Sequence, residues 1–137
     1  MNLHEAIIQT VFEHYPDVQA IYLFGSFGTE DEWPESDADI ALLLPPVEAK
    51  KVGSLAMSAL RRALEEVLGK EIDLINLRLA PTVLQKEVIA ADRRVYDGER
   101  VAAEEFEMLT ISLYQKLNEE RAEIIANALA DGRFHDI

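Results

Sequence analysis

The spacing of apolar residues in the first third of the chain predicts one helix and two short strands. Apolar residues recur at helical spacing from Leu3 to Phe12, and Pro16 follows where such a helix would end. Two short runs rich in strand-forming residues come next, from Val18 to Phe24 and from Ala38 to Leu44. We therefore expect the first helix to be followed by two neighbouring strands.

The remaining chain predicts three more helices and two more strands. A helical pattern extends from Lys50 to Leu68, and strict apolar-polar alternation from Glu71 to Leu77 is typical of a half-buried strand. A short helix over Pro81 to Ala91 and an edge strand over Arg94 to Tyr96 follow, and residues 99–130 read as one long helix. This order predicts an α/β protein with a small sheet flanked by helices and a long C-terminal helix.

Length and composition favour one globular domain. With 137 residues, 49% of them apolar and 28% charged, the chain is long enough to bury a core and too short for a second ordinary domain. We expect a single domain over residues 1–137, with its core at about 18–100 and its last helix at about 99–130.

Charge and residue usage exclude several classes of protein. The formal net charge of −13 would repel a phosphate backbone, so stable binding of DNA or RNA is not expected, whereas a small anion carried with a divalent metal is allowed. The chain has no cysteine, which excludes disulfides and thiolate zinc sites. No stretch approaches the roughly 20 apolar residues of a membrane span, so we expect a cytoplasmic protein.

Three aspartates are placed where strands begin or alternate. Asp37 and Asp39 are two residues apart at the start of a strand, so their side chains point to the same face. Asp73, between Ile72 and Leu74, can join that face from an adjacent strand. Carboxylates held this close repel one another unless a cation lies among them, and hard oxygen ligands suit Mg²⁺. Taken alone, the motif is also compatible with ordinary loop acids.

A Gly-Ser pair follows the first predicted strand. Gly25 has no side chain to block the approach of a phosphate, and Ser26 adds a hydroxyl and a backbone N–H at the start of an expected helical turn. The same pair is compatible with a simple strand-to-helix turn and an N-cap serine. Combined with the aspartates, it favours a nucleotide site.

The Gly-Ser pair, the ten residues after it and the Asp-x-Asp motif resemble the signature of the DNA polymerase β-like nucleotidyltransferase superfamily. The short chain is similar to the minimal nucleotidyltransferase branch, over about residues 18 to 100. Many members of that branch are antitoxins that transfer AMP from ATP to a tyrosine of a HEPN-domain ribonuclease toxin. The fold that this resemblance implies has a small mixed β-sheet.

The resemblance also implies roles for individual residues. Gly25 and Ser26 would bind ATP, and Asp37 and Asp39 would bridge two Mg²⁺ ions with Asp73 completing one metal site. Asp73 could also accept the proton of the attacking hydroxyl. The implied partner is a cognate HEPN toxin, bound in a hetero-oligomer.

One departure from the family pattern concerns phosphate binding. Many relatives carry arginines soon after the Gly-Ser pair, whereas residues 27–32 contain no base. The triphosphate would then be held mainly by metal and backbone. Either ATP affinity is weak, or Lys50, Lys51 or a partner's base compensates. Two alternatives stay open: a stoichiometric toxin-binding protein with a vestigial site, and an adenylyltransferase for a small hydroxylated molecule such as an aminoglycoside.

The last predicted helix carries an apolar stripe. At about 45 Å, such a helix is longer than the sheet needs, so we expect part of it to protrude and, being flanked by glutamates, to dock on a basic partner. A helix folded back entirely on its own core is the alternative. The stripe consists of Phe106, Leu109, Leu113, Leu117, Ile124 and Ala128, and the glutamates are Glu119, Glu120 and Glu123.

Overall fold

A computed structural model describes residues 2–30, 32–33 and 36–130 of the chain. Its helices and strands follow the predicted order, and Leu77–Leu79 form a 3-10 turn. In chain order they are α1 (Leu3–His14), β1 (Ala20–Phe24), β2 (Ala38–Leu43), α2 (Pro46–Val52), α3 (Ala59–Leu68), β3 (Ile72–Asn76), α4 (Thr82–Ala90), β4 (Arg94–Tyr96) and α5 (Arg100–Ala130).

The four strands form one mixed sheet in the order β3-β2-β1-β4. β1 runs antiparallel to both β2 and β4, whereas β2 and β3 are parallel. The expected small mixed sheet flanked by helices, with a long C-terminal helix, is therefore confirmed.

Strand alternation divides the core between the two faces of the sheet. Ile40, Leu42 and their neighbours pack on one face with residues of α1 and α3. Ala41 and Leu43 point to the other face and pack with Val88 of α4 and Ala103 of α5. Asp39 and Asp73 alternate with the first set, so they belong to the second face.

The single helix expected from Lys50 to Leu68 is wrong, because the structure has two helices there. α2 ends at Val52 and is followed by Gly53, which has a positive φ of 65°. α3 begins after Ser58, whose side chain accepts a hydrogen bond from the Arg61 backbone N–H at 3.2 Å. A left-handed glycine and an N-cap serine interrupt the backbone although Leu55 continues the apolar spacing.

The long helix α5 has different surroundings along its length. Ala103 and Thr110 are buried, whereas every residue from 115 to 127 is exposed. The expectation that part of this helix protrudes is therefore confirmed. Within the described residues, none of the helices is both long enough and apolar enough to cross a membrane.

Candidate active site

The predicted site residues meet at one end of the sheet. Phe24, the last residue of β1, pairs with Asp39 of β2, and Asp39 pairs with Asp73 of β3. Gly25 follows Phe24 directly, and Asp37 precedes β2 by one residue. The end of one strand and the starts of two others thus place four of the five predicted residues at the same edge.

The site is strongly acidic. Burial raises the pKa of the Asp39 carboxyl, and the negative charges of Asp73 and Asp37 raise it further. Asp37 and Asp73 are exposed at the open end of the face. A cation placed among these oxygens would relieve the repulsion, and the donor set fits Mg²⁺.

The carboxylates are adjacent without converging on a common point. Among the described residues, no three acidic or histidine side chains stand close enough to hold one metal ion together.

Gly25 and Asp39 fit together at the centre of the site. Gly25 has a positive φ of 67°, and an added Cβ would collide with Asp39 Oδ2 and lie 3.1 Å from Asp39 Cγ. The Asp39 carboxylate thus occupies the space that any other side chain at position 25 would need. The predicted phosphate-binding glycine and the predicted metal ligand are in direct contact as a result.

The expected helical turn after Gly25 is wrong. Residues 25–28 form hydrogen-bonded turns, because Gly25 and Gly28 both have left-handed backbone conformations that interrupt a helix. The Thr29 backbone N–H donates to the Ser26 carbonyl at 3.0 Å. The Ser26 hydroxyl forms no hydrogen bond within the described part of the chain, so it is available to a ligand.

Two bases that belong to none of the predicted motifs lie beside this turn. Arg93, just before β4, donates to the carbonyls of Gly25 and Phe27. Lys70, just before β3, forms a 2.6 Å ion pair with Glu32 and lies 5.7 Å from the centre of the Phe27 ring. Their places next to predicted strand starts were the only sequence signal for them. Asp31 of the same loop lies outside the described residues.

The two lysines that were expected to supply positive charge lie apart from the turn. Lys50 and Lys51 are on α2, which begins beyond the end of β2 remote from Asp39, and neither contacts the turn in the described structure.

A cavity of about 320 Å³ adjoins Asp73 along the edge of the sheet. Its walls are mostly apolar and include Ile75, Leu79 and Leu84, together with the loop after α2. The carboxylate of Asp73 therefore stands between the acidic edge and an apolar recess large enough for an aromatic ring.

This combination of fold and site defines a class of protein. The model of the family described as polymerase beta, nucleotidyltransferase, matches residues 6–101, and the chain belongs to that family. Among curated proteins, the chain is similar to the protein adenylyltransferase MntA of Shewanella oneidensis. The two are 35% identical over 125 residues, which cover 91% of this chain and 86% of the relative.

Two solved structures of toxin-antitoxin complexes contain a chain similar to this one. The chain resembles one from a crystal structure of a toxin-antitoxin with AMP-PNP, with a TM-score of 0.71 and 31% identity, covering 93% of this chain and 99% of that chain. It also resembles a chain from the tri-AMPylated Shewanella oneidensis HEPN toxin in complex with MNT antitoxin. There the TM-score is 0.65 and the identity 32%, covering 92% of this chain and 95% of that chain.

Proposed function

We propose that this protein is an antitoxin that transfers AMP from ATP to a tyrosine of a cognate HEPN toxin and so neutralises it. The observation that carries the proposal is the contact between Gly25 and Asp39, in register with Asp73. The relatives support the acceptor, since one is named a protein adenylyltransferase and another is in complex with an AMPylated HEPN toxin. With ATP and a toxin as substrates, the protein acts in the cytoplasm.

The chain's residues divide the work of nucleotide binding. Gly25 and Ser26 would bind the triphosphate: the Ser26 hydroxyl and the turn backbone donate hydrogen bonds to it, and glycine at position 25 leaves the Asp39 carboxylate in place beside it. Asp37, Asp39 and Asp73 would hold two Mg²⁺ ions, because the repulsion that Asp37 and Asp73 exert on Asp39 favours cation binding. Bound Mg²⁺ would neutralise charge on the phosphate and on the attacking oxygen.

Transfer exchanges one phosphorus–oxygen bond for another. The tyrosine oxygen bonds to the α-phosphorus of ATP, the bond to pyrophosphate breaks, and the phenolic proton passes to Asp73. The apolar cavity beside Asp73 would hold the acceptor ring against that carboxylate. The chain thus contributes to AMP transfer mainly by positioning the two reactants.

The exposed half of α5 is the proposed docking surface for the toxin. We name residues 115–130 the distal half; its exposed apolar side chains are Leu117, Ile124, Ile125 and Leu129. A second copy of this acidic chain would be repelled by the neighbouring glutamates, whereas a basic partner would be attracted. A toxin that binds RNA supplies such a basic surface.

Replacement of Asp39 tests the catalytic proposal. Asp39→Asn should abolish AMP transfer, measured with labelled ATP, Mg²⁺ and the toxin, because it removes a metal ligand. Its melting temperature should hold or rise, since a half-buried charge that Asp37 and Asp73 repel is lost. Asp17→Asn, at an exposed aspartate outside the site, is the matched control. Transfer by Asp39→Asn at the wild-type rate would contradict the proposal.

The protruding distal half also favours a second candidate, an antitoxin that acts by contact alone. The same variant separates the two candidates. Catalysis is the function if the wild type neutralises the toxin at substoichiometric amounts, whereas Asp39→Asn needs at least an equimolar amount. Equal neutralisation by both at every ratio would favour simple binding.

A further inference from the structure

Arg93 links a distant part of the chain to the nucleotide-binding turn. It lies 68 residues after Gly25, immediately before β4, and is half-buried. Its guanidinium donates to the Gly25 carbonyl at 3.4 Å and to the Phe27 carbonyl. One rigid group therefore holds the two residues on either side of Ser26.

The backbone of Arg93 is fixed as well. Its carbonyl accepts a hydrogen bond from the Leu23 N–H at 3.0 Å, two residues before Gly25. The preceding Asp92 has a positive φ of 54°, which turns the chain from α4 into β4. Arg93 is thus anchored to β1 by its main chain and reaches past the strand's end with its side chain.

The turn is shaped around this guanidinium. Gly28 has a φ of +74°, and a Cβ added there would lie 2.8 Å from Arg93 Nη2. Any side chain at position 28 would displace the arginine or the turn. Both glycines of the turn are therefore in close contact with a functional side chain, Gly25 with Asp39 and Gly28 with Arg93.

We propose that Arg93 is a positioning residue for the nucleotide: it holds the Gly25-Ser26 turn in the conformation that receives the triphosphate. This inference rests on the function proposed above. A turn that is already ordered loses less conformational entropy when ligand binds, and charge-assisted hydrogen bonds are the stronger ones available for ordering it. The guanidinium also places a positive charge behind a turn that adjoins the carboxylates of Asp37, Asp39 and Asp73.

Lysine is a poor substitute in this geometry. The planar guanidinium presents several donors in fixed directions and can bridge two carbonyls, whereas an ammonium group on a flexible stem is a single point of charge. Arg93→Lys therefore separates the bridging role from the charge, and Arg93→Gln removes the charge.

The test measures nucleotide binding and local order in the full-length protein. AMP-PNP with Mg²⁺ is titrated calorimetrically into the wild type, Arg93→Gln, Arg93→Lys and the control Arg100→Gln. The Arg100 side chain is 74% exposed on α5. Arg100→Gln therefore removes the same charge at a position away from the turn. Hydrogen exchange is followed in peptides covering residues 24–30 and, as internal reference, β2 and β3.

We expect Arg93→Gln to weaken AMP-PNP binding roughly tenfold, the scale of losing one well-placed charged hydrogen-bonding group. Exchange should accelerate in the turn and stay unchanged in β2 and β3. Arg93→Lys should lose several-fold in affinity, and Arg100→Gln should match the wild type. Should Arg93→Gln fail to fold, Arg93→Lys carries the same test.

Three outcomes would overturn the inference. Unchanged affinity in the arginine variants excludes a positioning role, and uniformly faster exchange across the sheet makes Arg93 a stability residue only. In both cases the function proposed above stands if the wild type transfers AMP. A wild-type protein that binds no AMP-PNP would overturn both proposals.

Discussion

The two halves of α5 belong to one continuous helix, yet only the proximal half, residues 100–114, contains buried residues, and even there Met108, Leu109 and Leu113 are exposed. In the proximal half, Ala103 is buried and Phe106 packs against the second core. Glu107 accepts hydrogen bonds from the Tyr22 hydroxyl at 2.9 Å and from Arg94. In the distal half, the described structure leaves the apolar side chains exposed. The sequence pattern predicts a helix through both halves, but only the proximal half packs against the sheet.

The difference separates stability from recognition. An isolated helix of about 15 residues, the length of the proximal half, is marginal in water. Packing therefore stabilises the proximal half, and the distal half extends from it. Exposed apolar residues on an extension contribute little to the free energy of folding. They remain available to another protein.

The largest effect is expected from a charge in the proximal half. Ala103→Asp would bury an unpaired carboxylate and should destabilise the fold by at least about 3 kcal/mol. Ala126→Asp, at an exposed alanine of the distal half, is the matched control and should change stability by no more than about 0.5 kcal/mol. Equal chemical denaturation midpoints for the two variants would remove the distinction between the halves.

Next in size is the loss of partner binding. Leu117→Ser combined with Ile124→Ser should weaken toxin binding roughly tenfold to a hundredfold while the melting temperature stays near wild type, because both side chains are exposed. Gln115→Ser with Ala122→Ser changes the opposite face of the same segment as the control. Calorimetry that finds the same toxin affinity in both variants would place the docking surface elsewhere.

A smaller effect is expected from the polar anchor of the proximal half. Glu107→Ala leaves the Tyr22 hydroxyl and Arg94 without their shared acceptor and should cost about 1 to 3 kcal/mol in urea denaturation. Glu123→Ala, in the distal half, should be close to neutral. If Glu107→Ala is also neutral, apolar packing alone anchors the helix.

The smallest effect concerns alkaline pH. Burial, followed by the charge of Glu107, raises the pKa of Tyr22 above its ordinary value of 10.0. The folded state therefore keeps this proton more strongly than the unfolded state, so its contribution to stability is complete below about pH 10 and declines as the pH rises further.

The pH effect is measured as a difference between variants. Between pH 9 and 11, Tyr22→Phe should lose less stability than the wild type. Parallel stability curves for the two proteins would show that Tyr22 does not contribute.

Most of the fold could be predicted because its signals are local. Strand alternation around Ile40 and Leu74, and helical spacing from Leu3 to Phe12, depend on neighbouring residues only. The break between α2 and α3 was missed because Leu55 keeps the helical spacing across it. There the backbone conformation of Gly53 outweighs the apolar pattern.

The candidate site was predictable to the same extent. The Gly-Ser pair and the three aspartates form local patterns, and the structure brings Gly25, Asp39 and Asp73 to one edge. Their assigned roles stay a prediction until the variants are measured. Arg93 and Lys70 belong to no motif and reach the turn only through the pairing of distant strands, which periodicity does not encode.

The fit between Gly25 and Asp39 has an evolutionary consequence. A side chain at position 25 collides with the carboxylate at position 39, so while Asp39 is retained the glycine is constrained by that contact as well as by its φ of +67°. Loss of Asp39 would relax the steric constraint, and a later change of Gly25 would then obstruct the return of aspartate. Descendants that had taken both steps would keep the distal half of α5 but could not regain AMP transfer by a single reversion. The change from an enzyme to an inhibitor that only binds would therefore be hard to reverse.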